Sequence, residues 1–82
     1  MNSDPNITRL IGAIIDIIHE RRVALAVSKK RLAALSGVTR TAIILMERHD
    51  RSPSLELLLR LARALDIPFS EVVREAELRT RI

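Results

Sequence analysis

Residues 29–46 read KKRLAALSGVTRTAIILM, and the spacing of small and apolar residues in this stretch decides the fold. Ala33 comes four residues before Gly37. Two helices that cross closely need a small residue at the crossing, a residue that tolerates positive φ in the turn, and apolar side chains between them. The residues at the corresponding positions are Leu32, Ala33, Gly37, Val38, Ile43 and Met46. The stretch therefore predicts two short helices joined by a tight turn.

Capping residues predict three further helices around this pair. Asp4 followed by Pro5 is typical of a helix start, and an amphipathic stripe of isoleucines and leucines runs from there to Ile18. Ser28 caps residues 29–35, Thr39 caps residues 40–48, Ser54 caps residues 55–65, and Pro68 opens residues 69–78. No alternating strand pattern is present. The sequence predicts an all-α domain of five helices in which helices 2 and 3 form the close pair.

The positive charge is concentrated in one segment. Residues 28–51 contain six lysines and arginines and two acidic residues, so they account for the whole formal net charge of +4. A positive field confined to one short segment attracts a polyanion. The alternative is an ordinary solvated charge cluster.

Composition also excludes several classes of protein. The chain has no cysteine and only one aromatic residue, Phe69, which argues against disulfides, thiolate metal sites and a stacking platform for single-stranded nucleic acid. The apolar residues 10–15 stop at Asp16, short of the ~20 residues that a membrane span requires. No nucleophile, base and orienting group occur together. We expect a soluble, unprocessed cytoplasmic protein that is not an enzyme and needs no cofactor.

The motif and the segment after it resemble the lambda-repressor-like helix-turn-helix family, also called XRE or Cro-type. The resemblance continues through MERHDRSPSLELLLRLARALDIPFSEVV, residues 46–73, and covers roughly residues 14–73. It implies a compact five-helix DNA-binding domain with the helix-turn-helix at helices 2 and 3. Residues 1–82 then form a single domain, in which 1–13 begin helix 1 and 74–82 end the last helix.

The resemblance implies that helix 3 lies in the major groove of DNA. Its groove-facing residues are Thr39, Arg40, Thr41, Ile44 and Arg48. Arg40 is the best candidate for a base contact, because a guanidinium forms two hydrogen bonds with guanine, and the alternative is a phosphate contact only. We expect Ile44 to be exposed and to face a thymine methyl group. The alternative is that Ile44 and Leu45 are filler or a protein-contact patch.

Other residues are expected to fix the position of the domain on DNA or to support the motif. The phosphate-contact set is Ser28, Lys29, Lys30, Arg51 and Ser52. The family commonly has glutamine where Lys29 stands. Glu47 is expected to be structural, because an acid facing DNA would repel phosphate. His19 and His49 are lone histidines and are expected to be structural or solvated.

The connection between helices 1 and 2 departs from the family pattern. HERRVALAVS, residues 19–28, is longer than the usual connection and lacks its glycine. Two conformations are open: helix 1 runs an extra turn, or it ends in an unusual loop. His49, after helix 3, is expected in the left-handed conformation.

The leading functional hypothesis is a sequence-specific transcriptional regulator that binds double-stranded DNA as a homodimer on a palindromic operator. The alternative is an antitoxin-like or other interaction subunit whose main partner is a protein, docked on Ile44, Leu45 and the helix 1 stripe. No domain for a small molecule remains outside the motif. We expect dimerisation through the last helix, by Val72, Val73, Ala76 and Leu78 with Ile82 beyond. Helix 1 residues such as Ile15 are a second surface, and packing of the last helix onto its own monomer is the alternative.

Overall fold

Side-chain caps set the starts of the first four helices. The structure is a computed structural model that describes residues 4–81. Its helices are α1 (Pro5–Ala24), α2 (Lys29–Ser36), α3 (Arg40–Glu47), α4 (Leu55–Ala64) and α5 (Phe69–Thr80). Oxygens of the caps Asp4, Ser28, Thr39 and Ser54 accept hydrogen bonds from backbone N–H groups in the first turns of these helices. The described residues contain no strand, and the predicted all-α fold is confirmed.

Residues in the left-handed conformation close the first four helices. Gly37 has φ of 74° after α2, and His49 has φ of 60° after α3, as its position predicts. Ala26 and Asp66 take the same conformation after α1 and α4, each with φ of 58°. Only the turn after α2 uses glycine, which adopts positive φ without steric cost. The other three turns place a residue with a Cβ atom in this region, which is sterically unfavourable.

The connection between α1 and α2 combines both conformations that the sequence left open. α1 continues to Ala24, and a left-handed turn at Ala26 follows it. The Ala26 N–H donates to the carbonyl of Val23 (3.0 Å), and the Val27 N–H donates to the carbonyl of Arg22 (3.1 Å). This pair of bonds is the Schellman motif that usually requires glycine at the left-handed position. Ala26 therefore occupies the position of this motif at which glycine is usual.

The hydrophobic core lies where α1 packs on α5 and α3 and where α2 packs on α3 and α4. It contains side chains from all five helices. The buried members include Ile14, Ile15, Ile17, Ile18, Leu32, Val38, Ile43, Met46, Leu58, Leu61, Leu65, Ile67, Val72 and Ala76. Within residues 4–81, no helix has the combination of length and apolar character that crossing a membrane requires.

The expected dimer surfaces on α5 and α1 are wrong for most of the residues assigned to them. Val72 and Ala76 are 1% and 0% exposed and pack inside the monomer, as Ile15 does at 3%. Val73 is half-buried against the same core. Leu78 is exposed, and Ile82 lies outside the described residues. The physical reason is that α5 uses its apolar face to cover α1.

Exchanging alanine and glycine in the turns before and after α2 should change the stability in opposite directions. Alanine in the left-handed region costs roughly 1–2 kcal/mol, and glycine at the same position avoids this strain. The greater freedom of glycine in the unfolded chain offsets about 0.4–1 kcal/mol of the stability gained in this way. Ala26→Gly should therefore raise the free energy of unfolding by about 0.5–1 kcal/mol, and Gly37→Ala should lower it by a similar amount. A Cβ at residue 37 would meet only the end of the flexible Arg60 side chain, at 3.4 Å, so the backbone effect dominates there.

Urea denaturation of both variants measures these changes. Ala34→Gly, at an exposed position inside α2, is the matched control and should destabilise by up to about 1 kcal/mol. If Ala26→Gly destabilises as the control does, the left-handed turn after α1 is wrong.

Candidate nucleic-acid interface

Arg22 joins α1, the start of α2 and the end of α3. Its Nε donates to Oε2 of Glu47 (2.7 Å), its Nη2 donates to Oε1 of Glu47 (3.0 Å), and its Nη1 donates to the carbonyl of Val27 (2.8 Å). Val27 directly precedes the cap of α2, and Glu47 is the last residue of α3. The side chains of Arg22 and Glu47 are 10% and 5% exposed. One guanidinium thus fixes the two helices of the motif relative to α1.

Both histidines of the chain reinforce this connection between α1 and the end of α3. His19 Nδ1 lies 2.9 Å from Oε1 of Glu47, and His49 Nε2 lies 2.8 Å from Oδ1 of Asp16. The His49 ring also lies over Gly12 in the middle of α1, and a Cβ added there would be 3.8 Å from it. These contacts position the left-handed turn that begins the loop between α3 and α4.

The environment of Glu47 keeps it ionised. Burial is the largest single effect and would raise the pKa of this carboxyl group, but the hydrogen bonds and the positive charges of Arg22 and His19 together outweigh it. The pKa of Glu47 therefore lies below its usual value. A carboxylate that already accepts bonds from Arg22 and His19 has a structural role and turns away from solvent.

The polar side of α3 faces solvent. Thr39, Arg40, Thr41 and Arg48 are all exposed, while Ile43 and Met46 on the other side are fully buried. This division follows the helical periodicity of the sequence.

Ile44 and Leu45 are both half-buried, so they are less exposed than the sequence suggests. Neighbouring side chains cover part of both residues, and helical periodicity alone does not show this. Part of Ile44 therefore remains exposed for an apolar contact, and neither residue is among the exposed large apolar side chains.

The starts of α2 and α3 present groups that suit phosphate. The Ser28 hydroxyl accepts from the Arg31 N–H (3.0 Å), and the Thr39 hydroxyl accepts from the Ala42 N–H (3.1 Å). Each hydroxyl keeps its proton for donation to a further acceptor. The first backbone N–H groups of a helix also have no partner inside the helix and favour anions. Lys30 is exposed beside this end of α2, and Lys29 is half-buried.

Arg51 and Ser52 lie in the loop after α3. They line a groove of about 420 Å³ with Ile7 and Ile11 of α1. Both residues are exposed. Arg22 contacts both Val27 and Glu47 and so brings the start of α2 next to the end of α3. Arg51 and Ser52 lie beside α1.

The cations of the motif are largely uncompensated. Arg48 lies 3.1 Å from Asp50 in a solvent-exposed pair, which is worth at most about 1 kcal/mol and yields readily to a stronger anion. Among the described residues, no carboxylate lies within 4.0 Å of the other five cations of this segment. These are Lys29, Lys30, Arg31, Arg40 and Arg51. A polyanion approaching this surface therefore meets charge that is not already neutralised.

The residues assigned to the motif itself pack as its geometry requires. Leu32, Val38, Ile43 and Met46 are buried, and Ala33 is half-buried against them. The Gly37 N–H donates to the carbonyl of Ala33 at 3.0 Å.

Sequence reasoning missed Arg22, His19, His49 and Asp16 as partners of the motif. One local feature of the sequence hinted at these contacts: Gly12 is a glycine inside a helix, and its missing side chain leaves room for the His49 ring.

Comparison with known proteins agrees with this geometry. The helix-turn-helix family HTH_3 matches residues 18–72, from the end of α1 to the first turns of α5. This chain belongs to the lambda-repressor-like helix-turn-helix family of DNA-binding domains. It is 47% identical over 49 residues to an uncharacterized HTH-type transcriptional regulator of Methanothermobacter thermautotrophicus. The aligned region covers 60% of this chain and 71% of that protein.

The buried ion pair predicts a specific pH dependence for Glu47→Gln. Removing one partner of a buried pair leaves the other charge uncompensated, so the variant should be less stable at pH 7 by about 3 kcal/mol. Because the pKa of Glu47 is lower in the folded than in the unfolded protein, its stabilisation is complete above the unfolded pKa of about 4.3. It is lost as the pH falls through the folded pKa. The difference between the variant and the wild type should therefore narrow as the pH falls below about 4.3.

Urea denaturation between pH 3 and 7 measures this difference. Glu77→Gln removes an exposed carboxylate from α5 and should stay close to the wild type throughout. A Glu47→Gln difference that is constant over the whole pH range would contradict an ionised, paired Glu47.

Proposed function

We propose that this protein is a transcriptional regulator that binds double-stranded DNA with the exposed side of α3 in the major groove. The observation that supports this most directly is the cluster of uncompensated cations around a helix whose opposite side is fixed to the core. Family membership supports the same function. In this arrangement the bases meet Arg40, Thr41, Ile44 and Arg48, with Thr39 at the start of the helix.

The proposed contacts divide into two kinds. Arg40 projects from the first turn of α3 with no carboxylate within 4.0 Å among the described residues, so its guanidinium is available for two hydrogen bonds to guanine. The partly exposed Ile44, one turn further on, suits a thymine methyl group. Ser28, Lys29, Lys30, Arg51 and Ser52 meet phosphates and set the position of α3 without reading sequence.

The proposal includes a homodimer on a two-fold symmetric operator. An eight-residue helix reaches few base pairs, and two copies with their recognition helices ~34 Å apart read twice as many. Each mismatch costs about 1–3 kcal/mol in such complexes, so doubling the readout multiplies the discrimination.

The alternative of a subunit that mainly binds another protein has less support. It relied on Ile44, Leu45 and the apolar stripe of α1 as a docking surface. Ile44 and Leu45 are half-buried, and the stripe from Leu10 to Ile18 lies in the core or packs against it, which leaves only its first member, Ile7, exposed. A protein partner would have to use other residues.

A salt titration of DNA binding tests the proposed function. The logarithm of the affinity for a duplex should fall linearly with the logarithm of salt concentration, with a slope of about −0.9 per phosphate contact. Lys29→Ala and Arg51→Ala should each make the slope shallower by about 1. Arg74→Ala is the matched control, since it removes an exposed cation from α5, and it should leave the slope unchanged.

Two results would contradict the proposal. One is affinity for duplex DNA that does not change with salt. The other is an Arg74→Ala variant that loses as much as Lys29→Ala, because net charge alone would then explain the binding.

A further inference from the structure

Three exposed leucines form an apolar surface on α2 and α4 that the monomer leaves uncovered. Leu35, Leu55 and Leu59 are 49%, 63% and 44% exposed. Leu35 and Leu59 line one groove of about 560 Å³ between the two helices, and Leu55 lies one turn before Leu59 on the same side of α4. Single exposed leucines are common, but a contiguous group indicates an interaction surface.

Charges of both signs flank this surface on α4. Glu56, Arg60 and Arg63 all line the groove and are exposed. Glu56 and Arg63 are the outer two of the three. They are seven residues apart, which is two helical turns or about 10 Å along the axis. In the described residues, no carboxylate lies within 4.0 Å of Arg63. Glu56 accepts a hydrogen bond from Arg60 Nε at 3.1 Å in an exposed pair, which leaves its second oxygen free.

We propose that this surface binds a second copy of the chain, with the two α4 helices antiparallel about a two-fold axis near Leu59. A two-fold interface needs a surface that complements itself. In the antiparallel arrangement Leu59 meets Leu59 of the second copy, and Glu56 of each copy faces Arg63 of the other. This inference rests on the proposed homodimer and names its surface.

The position of the surface is compatible with DNA binding. α4 begins shortly after the loop that carries Arg51, and Leu35 lies two residues before Gly37 in the turn of the motif. The surface therefore adjoins the proposed DNA contacts and includes none of them. Association through it uses no residue of α3.

The other exposed apolar residues lack these properties. Ile7 borders the groove that Arg51 lines, and Val23 and Leu25 lie at the far end of α1. Leu78 stands on α5, where Val72 and Ala76 are buried in the monomer. The surface on α2 and α4 is the one that combines three leucines with charges of opposite sign.

Sedimentation equilibrium of charge-exchange variants tests this arrangement. Glu56→Arg alone and Arg63→Glu alone should each raise the dimer dissociation constant about tenfold or more, because like charges then face each other twice in the symmetric interface. The double variant E56R/R63E should return the constant to within about threefold of the wild type, since the opposite charges are restored in exchanged positions. Leu78→Asp, an exposed change on α5, should leave it unaffected. Circular dichroism melts establish that each variant is folded.

The outcomes separate this inference from the proposed function. A wild-type chain that stays monomeric at tens of micromolar, or a double variant no better than the single ones, would overturn the α4 interface. Single variants that dimerise as the wild type does would also overturn it. DNA binding is measured below the dimer dissociation constant of the E56R variant, where it is mainly monomeric: it should still bind a single half-site with a salt slope close to that of a wild-type subunit. Loss of that binding in a folded variant would instead count against the proposed function.

Discussion

The buried ion pair between Arg22 and Glu47 is the contact on which the functional surface depends. Removing a carboxylate and a guanidinium from water costs several kcal/mol per ion, and their attraction offsets this only when the geometry is good and the remaining polar atoms are satisfied. Both conditions hold here. Arg22 donates three hydrogen bonds, and Glu47 accepts a further contact from His19. Among residues 4–81, no buried side-chain nitrogen or oxygen lacks a partner. The ion pair fixes the positions of α3 and the start of α2 relative to α1.

The charge distribution follows from the same contact. Glu47 is the acid nearest the polar side of α3 in the sequence, and burying it against Arg22 removes its field from that side. Elsewhere, Arg60 and Arg79 are paired with carboxylates within the fold. Arg79 makes two hydrogen bonds with Glu20, and these bonds hold α5 on α1 and lower the pKa of Glu20. Other cations outside the motif, such as Arg21, Arg63 and Arg74, also have no carboxylate within 4.0 Å among the described residues. The excess of positive charge at the motif therefore comes from composition, because residues 28–51 contain six cations and two acidic residues.

Local features of the fold were predictable from the sequence, and long-range ones were not. The caps Ser28, Thr39 and Ser54 act within their own first turns, so their positions gave the starts of the helices. Arg22 and Glu47 are 25 residues apart, and no spacing rule connects them. Val72 and Ala76 illustrate the same limit. Periodicity shows that α5 has an apolar side, but whether α1 or a second copy covers that side depends on how the whole chain packs. Half-burial of Ile44 depends in the same way on its neighbours.

We propose that DNA contacts the exposed side of α3 together with the start of α2 and the loop after α3. Backbone amide chemical shifts, measured by NMR during titration with a duplex selected from a random pool, test this mode of binding most directly. The largest changes should occur at residues 28–31, 39–44 and 48–52, while the amides of α5 should change little. Changes that are largest on α5, with residues 39–44 unaffected, would contradict it.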